Sequence, residues 1–267
     1  MSILSDITPL ILTYNEAPNI NRTLQNITWA KRIVVVDSYS TDTTLEILTY
    51  YPQVEIFKRE FDTHARQWNY GLEQIKTEWV LSLDADYLVT YQLVKEINNL
   101  SPNTSINGFF APFKYCVFGK PLKGTILPPR QVLFRKDTAI YIDDGHTQIL
   151  EVKGNSSKLS SHIYHDDRKP LSRWLWAQDR YMLLEVQKLI DTPTQELSLS
   201  DRIRKHKVLA PLVILFYCLI FKGGILDGWP GFYYAFQRVL AEIILAIRLI
   251  EKEPSKQKQK TKISSGK

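Results

Sequence analysis

The chain has 267 residues, with 34 lysines and arginines against 28 aspartates and glutamates and only two cysteines, Cys116 and Cys218. That length accommodates one sizeable core plus an extension, and two distant cysteines in apolar settings exclude a disulfide framework or a cysteine-based metal cluster. Residues 251–267 hold six lysines and two glutamates, so +4 of the net +6 lies in the tail, and the near-neutral remainder argues against nucleic acid as a partner.

Residues 7–12 form an apolar run, interrupted at Thr8 and Pro9, that leads into Thr13-Tyr14-Asn15-Glu16. A second run ends in Val34-Val35-Val36-Asp37-Ser38-Tyr39-Ser40-Thr41-Asp42, where Thr41 or Asp42 is placed to cap a helix over residues 43–50. Residues 54–57 read as a third strand, 65–75 as a helix containing Gln67, Asn69 and Gly71, and 79–83 as a fourth strand ending in Asp84-Ala85-Asp86. Strands alternating with short helices predict βαβ units and an α/β fold with a mostly parallel central sheet. Ligands bind such sheets at the carboxyl ends of the strands, and there the pattern places Glu16, Asp37, Asp84 and Asp86. Alternation along a strand puts Asp84 and Asp86 on one side, an all-oxygen site for a hard divalent cation that carries a diphosphate. The plainer reading is a helix cap or a turn pair. No glycine-rich phosphate loop is present, so phosphates would be held by a metal and side chains.

The second half of the domain is less regular. Residues 108–117, rich in aromatics, read as a strand, 119–129 as a loop, and 131–135 and 138–142 as two further strands. Asp143-Asp144-Gly145-His146-Thr147-Gln148 reads as a polar turn. His162 and His165, three apart, would face opposite sides of a strand and not act as a pair.

From residue 170 the character is helical. Residues 171–189 read as a helix whose tryptophans Trp174 and Trp176 serve packing, and Ser198 to Asp201 starts another. Residues 208–221 are uncharged, too short a run for a straight membrane span. Residues 236, 239, 240, 243, 244, 247 and 250 lie on one apolar helical face. Arg202, Arg204, Lys205 and Lys207 precede this pair of segments and the lysine tail follows it. The pattern predicts an amphipathic hairpin in the interface of an anionic membrane surface, with packing on the soluble domain or on a second subunit, a homodimer, as the alternative. The expected organisation is a catalytic domain over 1–170, a helical packing segment over 171–200, the hairpin over 201–250 and a disordered basic tail over 251–267. The N-terminus shows no basic region followed by an apolar stretch, so no secretory leader is expected, and the cytoplasmic face of the plasma membrane is the expected location.

Thr13-Tyr14-Asn15-Glu16, Val36-Asp37-Ser38-Tyr39-Ser40-Thr41-Asp42, Gln67-Trp68-Asn69-Tyr70-Gly71-Leu72 and Leu83-Asp84-Ala85-Asp86, in this order and spacing, resemble family 2 of the glycosyltransferases. Leu226-Asp227-Gly228-Trp229-Pro230-Gly231 resembles a motif of the bacterial branch that includes lipopolysaccharide-core glucosyltransferases. The resemblance implies the GT-A fold with a membrane-associating helical extension, and inverting transfer of a sugar from a nucleotide-sugar donor, of the UDP type, to a glycan or lipid-linked acceptor. By the same resemblance Tyr14, Asn15, Glu16, Asp37, Gln67 and Asn69 surround the nucleotide, and Glu16 and Asp37 hold its uracil and ribose. Asp84 contacts ribose or a metal-bound water, and Asp86 with His165 binds Mg²⁺ or Mn²⁺. The family often has Val-His-Glu where this chain has Gly145-His146-Thr147, so the acid is missing and the base falls to Asp144, Asp143 or His146, with Asp144 preferred. A nucleotidyltransferase on a related sheet is disfavoured, because its glycine-rich, lysine-bearing loop is absent. An inactive nucleotide-sugar-binding or glycan-binding subunit of a polysaccharide assembly complex is the reading that Thr147 supports.

Overall fold

The computed structural model describes residues 2–101, 104–144 and 147–264, with Thr147 and residues from 253 onward described as backbone only. The chain divides into two units, one made of residues 1–121 and 127–169, the other of 122–126 and 170–267.

In the first unit the elements run β1 (Ile7–Thr13), α1 (Ile20–Gln25), β2 (Ile33–Asp37), α2 (Thr44–Thr49), β3 (Val54–Lys58), α3 (His64–Glu73), β4 (Trp79–Asp84), β5 (Tyr87–Val89) and α4 (Tyr91–Asn98). They continue as β6 (Ile106–Ala111), β7 (Phe113–Val117), β8 (Lys120–Pro121), β9 (Arg130–Arg135), β10 (Ala139–Asp144), β11 (Thr147–Val152), β12 (Asn155–Lys158) and β13 (Ile163–His165). Seven strands form one mixed sheet in the order β12-β6-β9-β4-β1-β2-β3. β4, β1, β2 and β3 are parallel, whereas β9 runs antiparallel to both β4 and β6. β1, β2 and β4 are largely apolar runs because both faces are covered, whereas β3 at the edge is only partly buried. Ile11, Val35 and Leu81 pack on one side, and Leu10, Val34, Val36 and Val80 pack against Trp68 and Leu72 of α3 on the other.

Two expectations change here. The aromatic stretch expected to be one strand is two, β6 and β7. Pro112 between them has no N–H to continue a ladder, and β7 enters a second sheet of order β5-β13-β7-β8. Asp143 and Asp144, expected in a turn, are the last residues of β10, which pairs with β11 so that Asp144 lies opposite Thr147. His146 lies outside the described residues.

The second unit contains α5 (Leu171–Asp191), α6 (Leu199–Lys205), α7 (Leu209–Phe216), a π turn at Tyr217–Phe221, a 3-10 turn at Gly224–Asp227, and α8 (Trp229–Ser264). Ser198 caps α6 by accepting from the Asp201 N–H. Met182, Val186 and Leu189 of α5 pack on Leu245 and Leu249 of α8. α8 continues to Ser264 through the segment expected to be disordered; its lysines and glutamines are good helix formers. Among the described residues no helix is long and apolar enough to cross a membrane. Both cysteines are free and buried, and burial pushes the Cys116 thiol up to about 12, with the nearby Asp166 acting in the same direction.

The Leu226–Gly231 motif explains itself in this unit. The Asp227 carboxylate accepts from the Lys123 N–H at 3.0 and 2.9 Å and from the Gly124 N–H at 3.0 Å. Backbones then pass so closely that a Cβ on Gly231 would lie 1.9 Å from the Gly224 carbonyl oxygen. Gly231→Ala is expected to lower the stability of this unit by about 1–3 kcal/mol, the usual cost of overpacking. A urea midpoint equal to the parent's would show instead that the backbone gives way freely.

Candidate active site

The site is built around the acid-tipped end of β4. Asp84 is its last residue and Asp86 lies in the turn before β5. The turn is held from two directions: Thr23 Oγ1 donates to the Ala85 carbonyl at 2.6 Å, and the Asp166 N–H donates to the Asp86 carbonyl at 3.0 Å. β13 lies between β5 and β7 in a register that sets His165 opposite Tyr87. His165 Nε2 is thereby 3.3 Å from Asp86 Oδ2, with the rings of Tyr87 and Tyr115 at 5.2 and 4.8 Å from the imidazole. Burial by itself would push the Asp86 carboxyl up and the His165 imidazole down. The partner's charge and hydrogen bond, joined by the Lys169 charge at Asp86 and the Asp84 charge at His165, together outweigh burial, so Asp86 is held low and His165 is raised. Asp86 Oδ1 and His165 Nδ1 are buried with no hydrogen-bond partner. An unpartnered carboxylate oxygen beside an imidazole fits a divalent cation. Among the described residues no group of three His, Cys, Asp or Glu is assembled, so further ligands would come from donor phosphate and water.

Asp84 and Asp86 have different surroundings. Asp84 is half-exposed and 3.7 Å from Arg130 of β9, which also donates to the Tyr87 hydroxyl at 2.7 Å. On the other flank, Glu16 Oε1 is 2.6 Å from Lys169 Nζ, and Glu16 Oε2 accepts from Asn19 Nδ2 at 3.0 Å. Burial raises the Glu16 carboxyl to about 7, with Lys169 opposing and Asp86 reinforcing the shift. Burial works against the Lys169 charge, but Glu16 and Asp86 hold its ammonium above the ordinary lysine value. Asn19 binds the same segment by donating to Asp167 at 2.9 Å and accepting from the Arg168 N–H at 2.8 Å. Lys169 and Arg130 are absent from the sequence reading. The only signal for Lys169 is the charged run Asp166-Asp167-Arg168-Lys169 directly after an apolar strand.

Several residues expected around the nucleotide are engaged within the fold. Asp37 is fully buried; it accepts from Thr13 Oγ1 at 2.8 Å, Ser40 Oγ at 2.6 Å and the Ser40 N–H at 2.8 Å. Asn15 Oδ1 accepts from the Thr41 N–H at 2.7 Å, and Gln67 Nε2 donates to Ser38 Oγ at 2.9 Å. These three side chains shape the loop after β2, and Tyr14 stands half-exposed at the end of β1. Asn69 departs furthest from expectation: its amide donates to the Tyr141 carbonyl at 2.8 Å and accepts from the Tyr141 N–H at 2.9 Å. With Trp68 stacked on the Tyr141 ring at 5.3 Å, α3 clamps β10. Asn69→Leu leaves both Tyr141 main-chain groups unpaired and is expected to lower stability by about 1–3 kcal/mol in chemical denaturation. An unchanged midpoint would return Asn69 to a ligand role. Asp143 accepts from the Ala65 N–H at 3.3 Å at the start of α3, whereas Asp144 is partly buried.

A parallel sheet with acids at its carboxyl edge, extended through an antiparallel β9 to β6, defines an α/β fold of GT-A type. Residues 10–118, less than half of the chain, match the family model described as Glycosyl transferase family 2. Over 88 residues it is 39% identical to the SPbeta prophage-derived glycosyltransferase SunS of Bacillus subtilis (strain 168), a match covering 31% of this chain and 20% of that protein. A mannosyltransferase from Pyrobaculum calidifontis, PcManGT, solved in complex with GDP-Man and Mn²⁺, superposes with a TM-score of 0.53 at 14% identity, covering 92% of this chain and 87% of that one. S. aureus TarS 1-349 in complex with UDP-GlcNAc superposes with a TM-score of 0.50 at 16% identity, covering 94% and 92%. At these identities the two likenesses show the fold.

Proposed function

We propose that this chain is a glycosyltransferase that moves a hexosyl group, with inversion, from a UDP-type donor to a hydroxyl of a cell-envelope glycan or lipid-linked acceptor. The observation that carries the reading is the Asp86–His165 pair at the carboxyl end of β4, with one buried carboxylate oxygen unpartnered; Asp86 falls within the residues that match the family 2 model. The name of the SunS relative and the nucleotide-sugars in the two similar structures support it. The Leu226–Gly231 motif is what favours the lipopolysaccharide-core branch.

Asp86 and His165 would hold Mg²⁺ or Mn²⁺, which when bound offsets the charge that builds on a departing diphosphate. Lys169 and Arg130, both within charge range of Asp86, add positive potential at the same edge. Glu16, fixed by Lys169 and Asn19, walls the nucleotide side. Asp144, the acid preferred from the sequence, would be the base that takes the acceptor proton, with Asp143 beside it on β10.

A panel of nucleotide-sugars, assayed with and without Mn²⁺ and with glycan acceptors, tests the reading through acceptor-dependent release of nucleoside diphosphate. Asp144→Asn is expected to lower transfer by about a hundred-fold or more while sparing donor binding. Donor binding without release from any member of the panel would favour the inactive binding subunit that Thr147 suggests.

A further inference from the structure

The most unusual surface of the second unit is its apolar turn. α7 and the π turn after it turn their small side chains inward, with Ala210 5% and Cys218 1% exposed, and bulky ones outward. Leu212, Phe216, Ile220, Phe221, Leu226 and Trp229 are all exposed, Leu226 to 75%, Phe221 to 81% and Trp229 to 82%. A helix packed as ordinary core shows the reverse order, because burying the larger side chain removes more apolar area from water. The same stretch carries no acidic residue between Asp201 and Asp227, and Lys205, Lys207 and Lys222 flank it. The Lys222 ammonium lies 5.5 Å from the Tyr217 ring centroid, at the rim of the apolar face.

We infer that this face is a membrane-docking surface, seated in the interface of an anionic lipid bilayer with α7 and the start of α8 lying in the plane. In-plane seating agrees with the absence, among the described residues, of any helix able to span. Phe and Leu supply the buried area, Trp229 suits the headgroup level, and the lysines meet anionic lipid. A second copy of the chain fits less well, since a two-fold contact through this face would bring like-charged lysine flanks together. The inference does not depend on the proposed transferase activity.

The test is co-flotation of the full-length chain with vesicles of phosphatidylcholine, alone or mixed with phosphatidylglycerol. The chain is expected to float with the mixed vesicles at low salt. Phe221→Asp with Trp229→Asp should lower partitioning by at least about tenfold, as one charged group replaces each apolar anchor. Replacing Lys205, Lys207 and Lys222 by glutamine should lower it by about a hundred-fold on anionic vesicles. Circular dichroism checks the fold, and if the aspartate pair unfolds the chain, Phe221→Ser with Trp229→Ser carries the same expectation. The inference is overturned if the full-length chain stays soluble with both vesicle types or if folded variants float like the parent. It is also overturned if sedimentation shows a dimer that the Phe221 and Trp229 variants dissociate.

Discussion

Asp86→Ala is expected to lower turnover by about two to four orders of magnitude, the scale of losing several kcal/mol of transition-state stabilisation. The loss should be accompanied by loss of metal dependence, because the substitution removes the unpartnered oxygen and leaves His165 alone in a buried pocket. His165→Ala should weaken metal binding while keeping part of the activity at high Mn²⁺, since Asp86 remains. Asp84→Ala, at a half-exposed carboxylate facing Arg130, should act mainly on donor affinity. Near-normal, metal-dependent turnover in Asp86→Ala would remove the cation from this place altogether.

Arg204→Met is expected to cost about 3–5 kcal/mol of unfolding free energy, because it strands buried carboxylates. Arg204 reaches Glu242 at 2.9 Å, Asp201 at 3.4 Å and Glu185 at 3.6 Å, joining α5, α6 and α8. The three acids are only 4–11% exposed. Burial works against the Arg204 charge, and the three carboxylates together hold its guanidinium above its ordinary value. Adding Glu242→Gln to Arg204→Met should recover part of the loss. No recovery in the double variant would show that the packing of the arginine stem matters more than its charge.

The parallel half of the sheet was legible because β1, β2 and β4 are almost wholly buried and stand out as largely apolar runs, with β2 and β4 ending in an acid. Asp84, Asp86 and Glu16 could be placed for that reason. The approach of His165 to Asp86 was suggested only by resemblance, because it depends on β13 inserting between β5 and β7, a pairing across many residues with no local pattern. The same holds for Lys169, whose partner Glu16 is 153 residues away. Asn69 and Asp37 show what such a motif leaves open. A polar residue in a motif says that its hydrogen bonds matter, but not whether the partner is a ligand or the chain's own backbone, as Tyr141 and Ser40 are here. The helical unit was legible in its helices but not in its membership. Nothing in residues 122–126 announces that they belong with a segment that begins at Pro170.

That membership has a consequence for how the chain is made. The amides of Lys123 and Gly124 wait for the carboxylate of Asp227, 104 and 103 residues further on. At ribosomal elongation rates the partner emerges roughly 5–20 s after the loop that needs it. During that interval the loop's closure entropy is unrecovered, and its high sequence separation makes docking one of the slower steps of the fold. A nascent chain halted before Asp227 therefore holds a complete run of sheet strands interrupted by a loop with nowhere to settle. Proteolysis of such arrested chains should cut first around residues 122–126, and protection should appear only once the start of α8 has been synthesised.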